Sequence, residues 1–203
     1  MKATNLLFLI LISLMLGGCQ GSSKEDSTGP FHTDPCKTSS SNYWYPFSVG
    51  DEWKWNINTN GLFDGSFRVR VTKETIINGR SYVSSEFDDA SVLSAFNDFC
   101  WIYGYVTSSG DLREYDPNSN YDGLYLPYRP FVGQQWIRQG QQWKVVSINA
   151  SLKTPFCSYT GLLKTEIDNQ DYAYYAKGVG LVAVQDKASG EISYWLEDVK
   201  IKL

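Results

Sequence analysis

The sequence predicts an all-β domain, mostly antiparallel, that forms a sandwich or partly open barrel from two β-rich halves. Seven Trp and fourteen Tyr residues occur among 203 residues, and aromatic side chains suit the pleated, half-buried surface of a sheet. Apolar and polar residues alternate in short segments separated by turn residues, whereas no segment keeps an apolar period of 3.6 residues. Together these observations favour strands over helices.

The first eighteen residues have the layout of an export signal. Lys2 precedes a largely apolar run over residues 6–16, and Gly17 and Gly18 follow it immediately before Cys19. A positive start, a short apolar stretch and small residues at the cleavage site define a signal peptide. Because a membrane-spanning helix needs about 20 apolar residues, we expect a cleaved signal rather than a transmembrane anchor.

The segment Leu16-Gly17-Gly18-Cys19 closely resembles the lipobox of bacterial lipoproteins. The resemblance implies that Leu16, Gly17 and Gly18 are the recognition residues for the signal peptidase and that the Cys19 thiol carries a diacylglyceryl group. Two or three acyl chains hold a protein on a bilayer, where a single chain would not. The alternative is an ordinary secretory signal that ends near a structural cysteine, which the position and spacing disfavour.

Two further features bear on localisation. Gln20 stands where such lipoproteins carry an Asp if they stay at the inner membrane, so the resemblance implies the outer membrane. The stretch SKED at 23–26 is similar to the pattern that directs Bacteroidetes-type lipoproteins to the cell surface, although a solvated charged patch explains it equally well. We expect an outer-membrane lipoprotein, with surface display and a periplasmic orientation both open.

Composition divides the chain into three parts. Ser, Thr, Gly, Pro and charged residues predominate from Gln20 to about Asn42, as in a flexible tether that cannot bury enough surface to order itself. We therefore predict a signal over residues 1–18, a lipidated cysteine and tether over 19–42, and a single β domain over 43–203.

Alternation of apolar and polar residues marks the strands of this domain. It is clearest at 53–57 and 67–71. Asn78-Gly79 predicts a hairpin into a strand at 80–87, because a tight primed turn needs positive φ at both central residues. Further strands are predicted at about 99–107, 111–115, 124–128, 142–150, 162–167, 172–176, 181–185 and 191–202, with a short helix around 90–96.

A motif near the start of the domain recurs at mid-chain. PFSVGDEW at 46–53 matches PFVGQQW at 130–136 with one residue deleted. The spacing of 83 residues between Gly50 and Gly133 is too long for a solenoid or a propeller blade, so it indicates two halves of one domain. In each copy Pro stiffens the approach, Gly permits a sharp turn, and Trp contributes a large apolar body to the core.

Together with YYAKGVGLV at 174–182, the two copies resemble a widespread group of Bacteroidetes-type lipoproteins with no assigned activity. The resemblance covers nearly all of the mature domain. It implies an antiparallel β architecture and an extracytoplasmic location, but it does not imply a catalytic or binding activity. The stretch KGVGL lacks the spacing of a phosphate loop and leads into a strand, so it predicts a turn that lets two strands pack closely.

Composition argues against several function classes. His32 is the only histidine, so a His-based metal site and a Ser-His-Asp hydrolase both lack their residues. A net charge of −4 without a basic block argues against a nucleic-acid partner. No pair of carboxylates is singled out for glycoside hydrolysis. We expect no enzyme activity and no cofactor.

The sharpest polar cluster lies in one predicted turn. Asp116, Asn118, Asn120 and Asp122 place oxygen side chains at alternate positions, as a calcium loop would. Counted from Asn118, however, the position that needs a bidentate Glu is Arg129, and ordinary turn residues explain the same sequence. We favour a hairpin loop without a metal and keep these four residues as weak calcium candidates.

Three cysteines remain if Cys19 carries lipid, namely Cys36, Cys100 and Cys157. In an oxidising compartment one disulfide and one free thiol are the simplest outcome. We expect the bridge to join Cys100 and Cys157, which both lie in the β domain, and to leave Cys36 in the tether. A catalytic cysteine would lack a histidine partner in the domain.

Three groups of aromatic residues are the remaining candidates for a function. Exposed together, they would stack on sugar rings or fill a partner's pocket, whereas the alternative places about half of them in the core. We predict a non-catalytic binding module for a glycan or a protein; the alternative is an envelope carrier or structural protein that holds an apolar ligand in a β half-barrel. The three groups are Tyr43, Trp44 and Tyr45; Tyr121, Tyr125 and Tyr128; and Tyr172, Tyr174 and Tyr175.

Overall fold

The computed structural model describes residues 30–38, 43–58, 64–88 and 103–203. The signal with Cys19, the helix predicted at 90–96 and Cys100 lie outside these residues. Every regular element within them is a β-strand, which confirms the all-β prediction. Among the same residues no helix is long and apolar enough to cross a membrane.

Thirteen strands are present in the described residues. Twelve of them are segments of 4 to 14 residues, and β1 is a two-residue strand before the domain proper. They are β1 Phe31–His32, β2 Glu52–Asn58, β3 Asp64–Ile77, β4 Arg80–Phe87, β5 Tyr103–Val106, β6 Leu112–Asp116, β7 Tyr121–Leu126, β8 Gln135–Arg138, β9 Gln141–Lys153, β10 Ser158–Ile167, β11 Asp171–Ala176, β12 Gly180–Asp186 and β13 Ile192–Lys202.

The strands β2 to β13 form one antiparallel sheet that curls into a nearly closed barrel. The order is β7-β6-β5-β4-β3-β2-β13-β12-β11-β10-β9-β8, so strands that are consecutive in sequence pair with each other, except β7 and β8, and β2 also pairs with β13. The two edge strands, β7 and β8, lie beside each other at a seam. Of the two architectures predicted, the structure is therefore the partly open barrel.

Alternate connections of such a meander lie at the same rim of the barrel, because consecutive strands run in opposite directions. We call one rim the Tyr45 rim, after the residue that inserts into it, and the other the opposite rim. The Tyr45 rim consists of residues 43–51, the connections at 78–79, 107–111, 127–134, 154–157 and 177–179, and the C-terminal residue 203.

The two copies of the repeated motif occupy equivalent places in the two halves, β2–β7 and β8–β13. Gly50 and Gly133 have φ of 99° and 88°, in the left-handed region that favours glycine. The Gly50 amide donates to the Val71 carbonyl and the Gly133 amide to the Val145 carbonyl, both at 2.9 Å. The tryptophan of each copy is buried. The structure thus confirms two β-rich halves.

Asp51 is a buried carboxylate that closes the turn of the first copy. Its two oxygens accept hydrogen bonds from the backbone amides of Ser48 at 2.7 Å and Lys202 at 2.8 Å. Burial raises the pKa of Asp51 to about 6 in spite of these bonds. In the second copy Gln134 accepts the equivalent bond from the Phe131 amide at 3.2 Å, so a neutral side chain closes the same turn.

Tyr45 closes one mouth of the barrel from the segment that precedes β2. Its ring centroid lies 5.4 Å from that of Trp53 on β2 and 5.6 Å from that of Tyr125 on the edge strand β7. Gly180, at φ +100°, begins β12 after the predicted KGVGL turn, and a Cβ there would lie 3.3 Å from the Tyr45 ring. Glycine therefore permits the close approach of Tyr45 to β12.

Residues 30–38 lie within the predicted tether, yet they contact the sheet. The two residues of β1 pair with β13, through Phe31 with Lys202 and His32 with Ile201. The Leu203 amide also donates to the Pro30 carbonyl at 3.1 Å. A two-residue strand has no periodicity to detect, which is why composition alone assigned these residues to the tether.

The predicted bridge between Cys100 and Cys157 is wrong, because Cys157 is bonded to Cys36. Their Cα atoms are 5.2 Å apart, and the bridge spans 121 residues of sequence. The pairing of β1 with β13 brings Cys36 to the β9–β10 connection that holds Cys157. Cysteine spacing in the sequence could not reveal this, since it depends on how β1 docks.

Candidate functional site

Strands β4 to β7 carry a polar and aromatic surface on the outside of the barrel. Successive side chains of a strand point to opposite faces. On β6 this sends Glu114 to the interior, where it meets Arg138, and Arg113 and Tyr115 to the outside. We call this surface the aromatic–ionic patch. Its residues are Arg80, Tyr82, Tyr105, Arg113, Tyr115 and Asp122. Tyr82 and Tyr115 are buried, so Tyr105 contributes the accessible ring.

Tyr105 is at the centre of the patch. Its ring packs edge-on against that of Tyr82, with the centroids 5.1 Å apart, and the Arg80 guanidinium lies 4.5 Å from its centroid. The Tyr105 hydroxyl donates to the Asp122 carboxylate at 3.0 Å. Asp122 also accepts from Arg80 and Arg113, both at 2.9 Å. Each polar group of the patch is thus oriented by another.

The charges of the patch follow from these contacts. Partial burial works against the charged form of Asp122, but hydrogen bonds from Arg113 and Tyr105 hold the pKa of its carboxyl below the ordinary value. Burial and the neighbouring carboxylate raise the pKa of Tyr105. At neutral pH the hydroxyl is therefore a donor, and two guanidiniums beside one carboxylate leave the patch with a net positive charge.

A groove of about 600 Å³ adjoins the patch and extends toward the Tyr45 rim. Arg80, Tyr82 and Tyr105 form one side, and Phe47 and Val106 contribute apolar surface. Pockets for small ligands generally have volumes of about 300–1,000 Å³ and combine apolar walls with a few oriented polar groups. The groove has a volume in this range and combines apolar side chains with oriented polar groups, and it is open to solvent.

The three aromatic groups predicted from the sequence serve mainly the core. Trp44, Tyr45, Tyr125, Tyr174 and Tyr175 are buried. The other members are more accessible, and two of them, on neighbouring segments of the Tyr45 rim, have ring centroids 5.2 Å apart. These accessible members are Tyr43, Tyr121, Tyr128 and Tyr172.

The patch was missed because its residues come from four strands. The signal that could have found it is the repeated spacing of Arg or Tyr two residues before Tyr, at 80 and 82, 103 and 105, and 113 and 115. On a strand this spacing puts both side chains on one face. The three pairs form one surface because β4, β5 and β6 lie side by side, and the spacing alone does not give this strand order.

The four calcium candidates occupy the β6–β7 hairpin and take part in other contacts. Asp116 accepts from the Asn118 amide at 2.9 Å, which organises the turn. Asn120 has φ of 54° and accepts from the Tyr115 hydroxyl at 3.1 Å. Asp122 faces two guanidiniums, which occupy the space that a cation would need. The described ranges contain no group of three His, Cys, Asp or Glu side chains suited to a metal ion.

A buried ion pair joins the two halves of the barrel at the seam. Arg138 on β8 donates to both carboxylate oxygens of Glu114 on β6, at 2.8 and 2.7 Å. The guanidinium also lies 4.3 Å from the Tyr125 ring centroid. Burial opposes the charge of Arg138, yet the Glu114 carboxylate raises the pKa of the guanidinium, so Arg138 keeps its charge.

Bulky side chains fill the interior that the described residues enclose. Trp53, Trp55 and Trp143 have no exposed surface, and Arg138 lies among them with 1%. The predicted alternative, a half-barrel that holds an apolar ligand, would need empty apolar space where these side chains pack. The groove beside the aromatic–ionic patch, by contrast, lies on the outside of the barrel.

Two solved structures are similar to the chain at low levels. One is described as an exported protein with a YmcC-like fold from Bacteroides fragilis; it is 15% identical, with 77% of this chain and 98% of that chain covered and a TM-score of 0.36. The other is described as a lipoprotein from Parabacteroides distasonis, with 9% identity, 79% and 98% coverage and a TM-score of 0.32. At these TM-scores neither likeness assigns a function to this chain.

No protein family matches the chain, and no curated protein matches it at a significant level.

Proposed function

We propose that the chain is a lipid-anchored extracytoplasmic protein of the outer membrane whose β domain is a non-catalytic binding module. The anchor is Cys19, with Leu16, Gly17 and Gly18 as the residues that the signal peptidase recognises. The export signal and lipobox support the location. The binding role rests on the aromatic–ionic patch.

A glycan is the ligand class that the patch fits best. A sugar presents paired hydroxyls at its edge and an apolar C–H face. Planar guanidiniums and a carboxylate form paired, charge-assisted hydrogen bonds, and tyrosine combines an apolar ring with a hydroxyl. In the patch Arg80, Arg113 and Asp122 hold one another in place around Tyr105, so little side-chain freedom is lost on binding.

Replacement of Tyr105 by Ala is expected to weaken glycan binding about tenfold or more, which corresponds to about 1.4 kcal/mol, because it removes the ring on which Arg80 rests. A panel of immobilised glycans would identify the ligand, and calorimetric titration would give the affinities.

The matched control is Tyr172→Ala. Tyr172 is also half-buried under a cation, with Lys164 Nζ 3.4 Å from its ring centroid, but it lies on β11 away from the patch. The control should bind as the unaltered protein does. Equal loss in the two variants, or none in Tyr105→Ala, would contradict the assignment of the patch.

A further inference from the structure

Exposed apolar side chains are concentrated at the Tyr45 rim. Val132, at 60% exposure, is a typical example. Among the described residues, two large exposed apolar side chains lie on strands away from this rim, Ile137 and Ile148. Ile76 and Phe156 lie at or near the tips of the β3–β4 and β9–β10 hairpins. The remainder are Tyr43, Val49, Val106, Phe131, Val132 and Leu203.

The two rims also differ in charge. Arg129, Lys153, Lys177 and Lys202 are exposed at the Tyr45 rim. In contrast, those connections of the opposite rim that the structure describes carry mainly acids and Lys187. These acids are Asp116, Asp168, Asp171, Asp186 and Glu191.

The acids that do lie near the Tyr45 rim are largely neutralised or already bonded. Asp51 is buried, and Asp34 forms an ion pair with Lys37 at 2.9 Å. Asp111 accepts from the Tyr128 amide at 2.9 Å, and Glu74 is an exposed acid near the tip of the β3–β4 hairpin. The rim as a whole therefore combines apolar side chains with an excess of exposed cations.

The chain reaches the domain at this same rim. Pro30 is held next to Leu203 by a backbone hydrogen bond, and the Cys36–Cys157 bridge ties the following residues to the β9–β10 connection. Ten residues, 20–29, separate Cys19 from Pro30. Even fully extended they span about 40 Å at most. An anchor on Cys19 thus joins the domain on the side of the Tyr45 rim and holds that rim within about 40 Å of the bilayer.

We infer that the Tyr45 rim docks on the bilayer that carries the anchor, an inference that rests on the proposed lipidation of Cys19. The exposed apolar side chains enter the boundary between headgroups and acyl chains, and the cations contact anionic headgroups. The acidic opposite rim then faces away from the membrane. Val106, which lines the groove beside the aromatic–ionic patch, lies at the docked rim, whereas Arg113 and Asp122 lie on the side of the barrel.

Two labelled variants of the full lipidated chain test this orientation. Val132→Cys and Ile137→Cys, each in a Cys100→Ser background, have one free thiol for an environment-sensitive fluorophore. The two positions are equally exposed, at 60% and 61%, but only Val132 lies at the Tyr45 rim. The protein is reconstituted in vesicles of phosphatidylethanolamine and phosphatidylglycerol that contain spin-labelled lipid as a quencher.

Several-fold stronger quenching and a blue-shifted emission are expected at position 132 relative to 137. The double substitution Lys177→Glu and Lys202→Glu should reduce the quenching at 132 while the protein still sediments with the vesicles. Equal quenching at the two positions would overturn the docking. Weak quenching at both positions, in protein that sediments normally with the vesicles, would also overturn the docking. The rim would then be a surface for a protein partner. Failure to sediment would instead refute the anchor itself, and the docking with it.

Discussion

Replacement of Cys157 by Ser is expected to lower the free energy of unfolding by about 2–5 kcal/mol. The Cys36–Cys157 bridge closes a loop of 121 residues, so its loss frees a large part of the unfolded chain. It also releases residues 30–38 from the β9–β10 connection. Urea denaturation of the unreduced protein would measure the difference.

Three comparisons make this prediction specific. Cys36→Ser should cost the same as Cys157→Ser, and the double variant should cost no more than either, because all three remove one bond. Cys100→Ser should leave the bridge intact. In the lipidated, unreduced and denatured protein one thiol should react, that of Cys100. Three reactive thiols, or a stability loss confined to Cys100→Ser, would contradict the pairing.

Arg138→Met is expected to destabilise the protein by about 3–5 kcal/mol. The substitution leaves the Glu114 carboxylate in the interior with neither its counter-charge nor its two hydrogen bonds from the guanidinium. Since this pair connects β6 to β8, the seam between the two halves should loosen first. Hydrogen exchange would show the earliest loss of protection in β7 and β8.

The double variant Glu114→Gln, Arg138→Met should regain much of that loss, because no buried charge is left without a partner. The control is Lys187→Met, which removes the partially exposed pair with Glu166 and should cost at most about 1 kcal/mol. If Arg138→Met costs no more than this control, the pair does not hold the seam together.

Local sequence predicts the strands well where one face of a strand is buried. β4 has the bounds that the Asn78-Gly79 turn and the alternation indicate, Arg80–Phe87. The same method missed β8, Gln135–Arg138, which has only four residues and begins within the repeated motif. It also ended β9 at 150 instead of Lys153, because the outer part of this strand has no buried residue.

The contacts between distant strands could not be predicted from such patterns. Alternation in a single strand says which residues share a face, but it does not say which strand lies next to it. The Cys36–Cys157 bridge, the Arg138–Glu114 pair and the aromatic–ionic patch all depend on that second fact. The repeated motif comes closest to long-range information, since it correctly indicates two equivalent halves.

Incorporation of labelled palmitate tests most directly whether Cys19 attaches the protein to a membrane. In bacterial cells that express the full chain, the label should appear on the unaltered protein and be absent from Cys19→Ser. The substitution should also move the protein from the membrane fraction to the soluble fraction. Equal label on both proteins, or none on the unaltered one, would contradict this attachment.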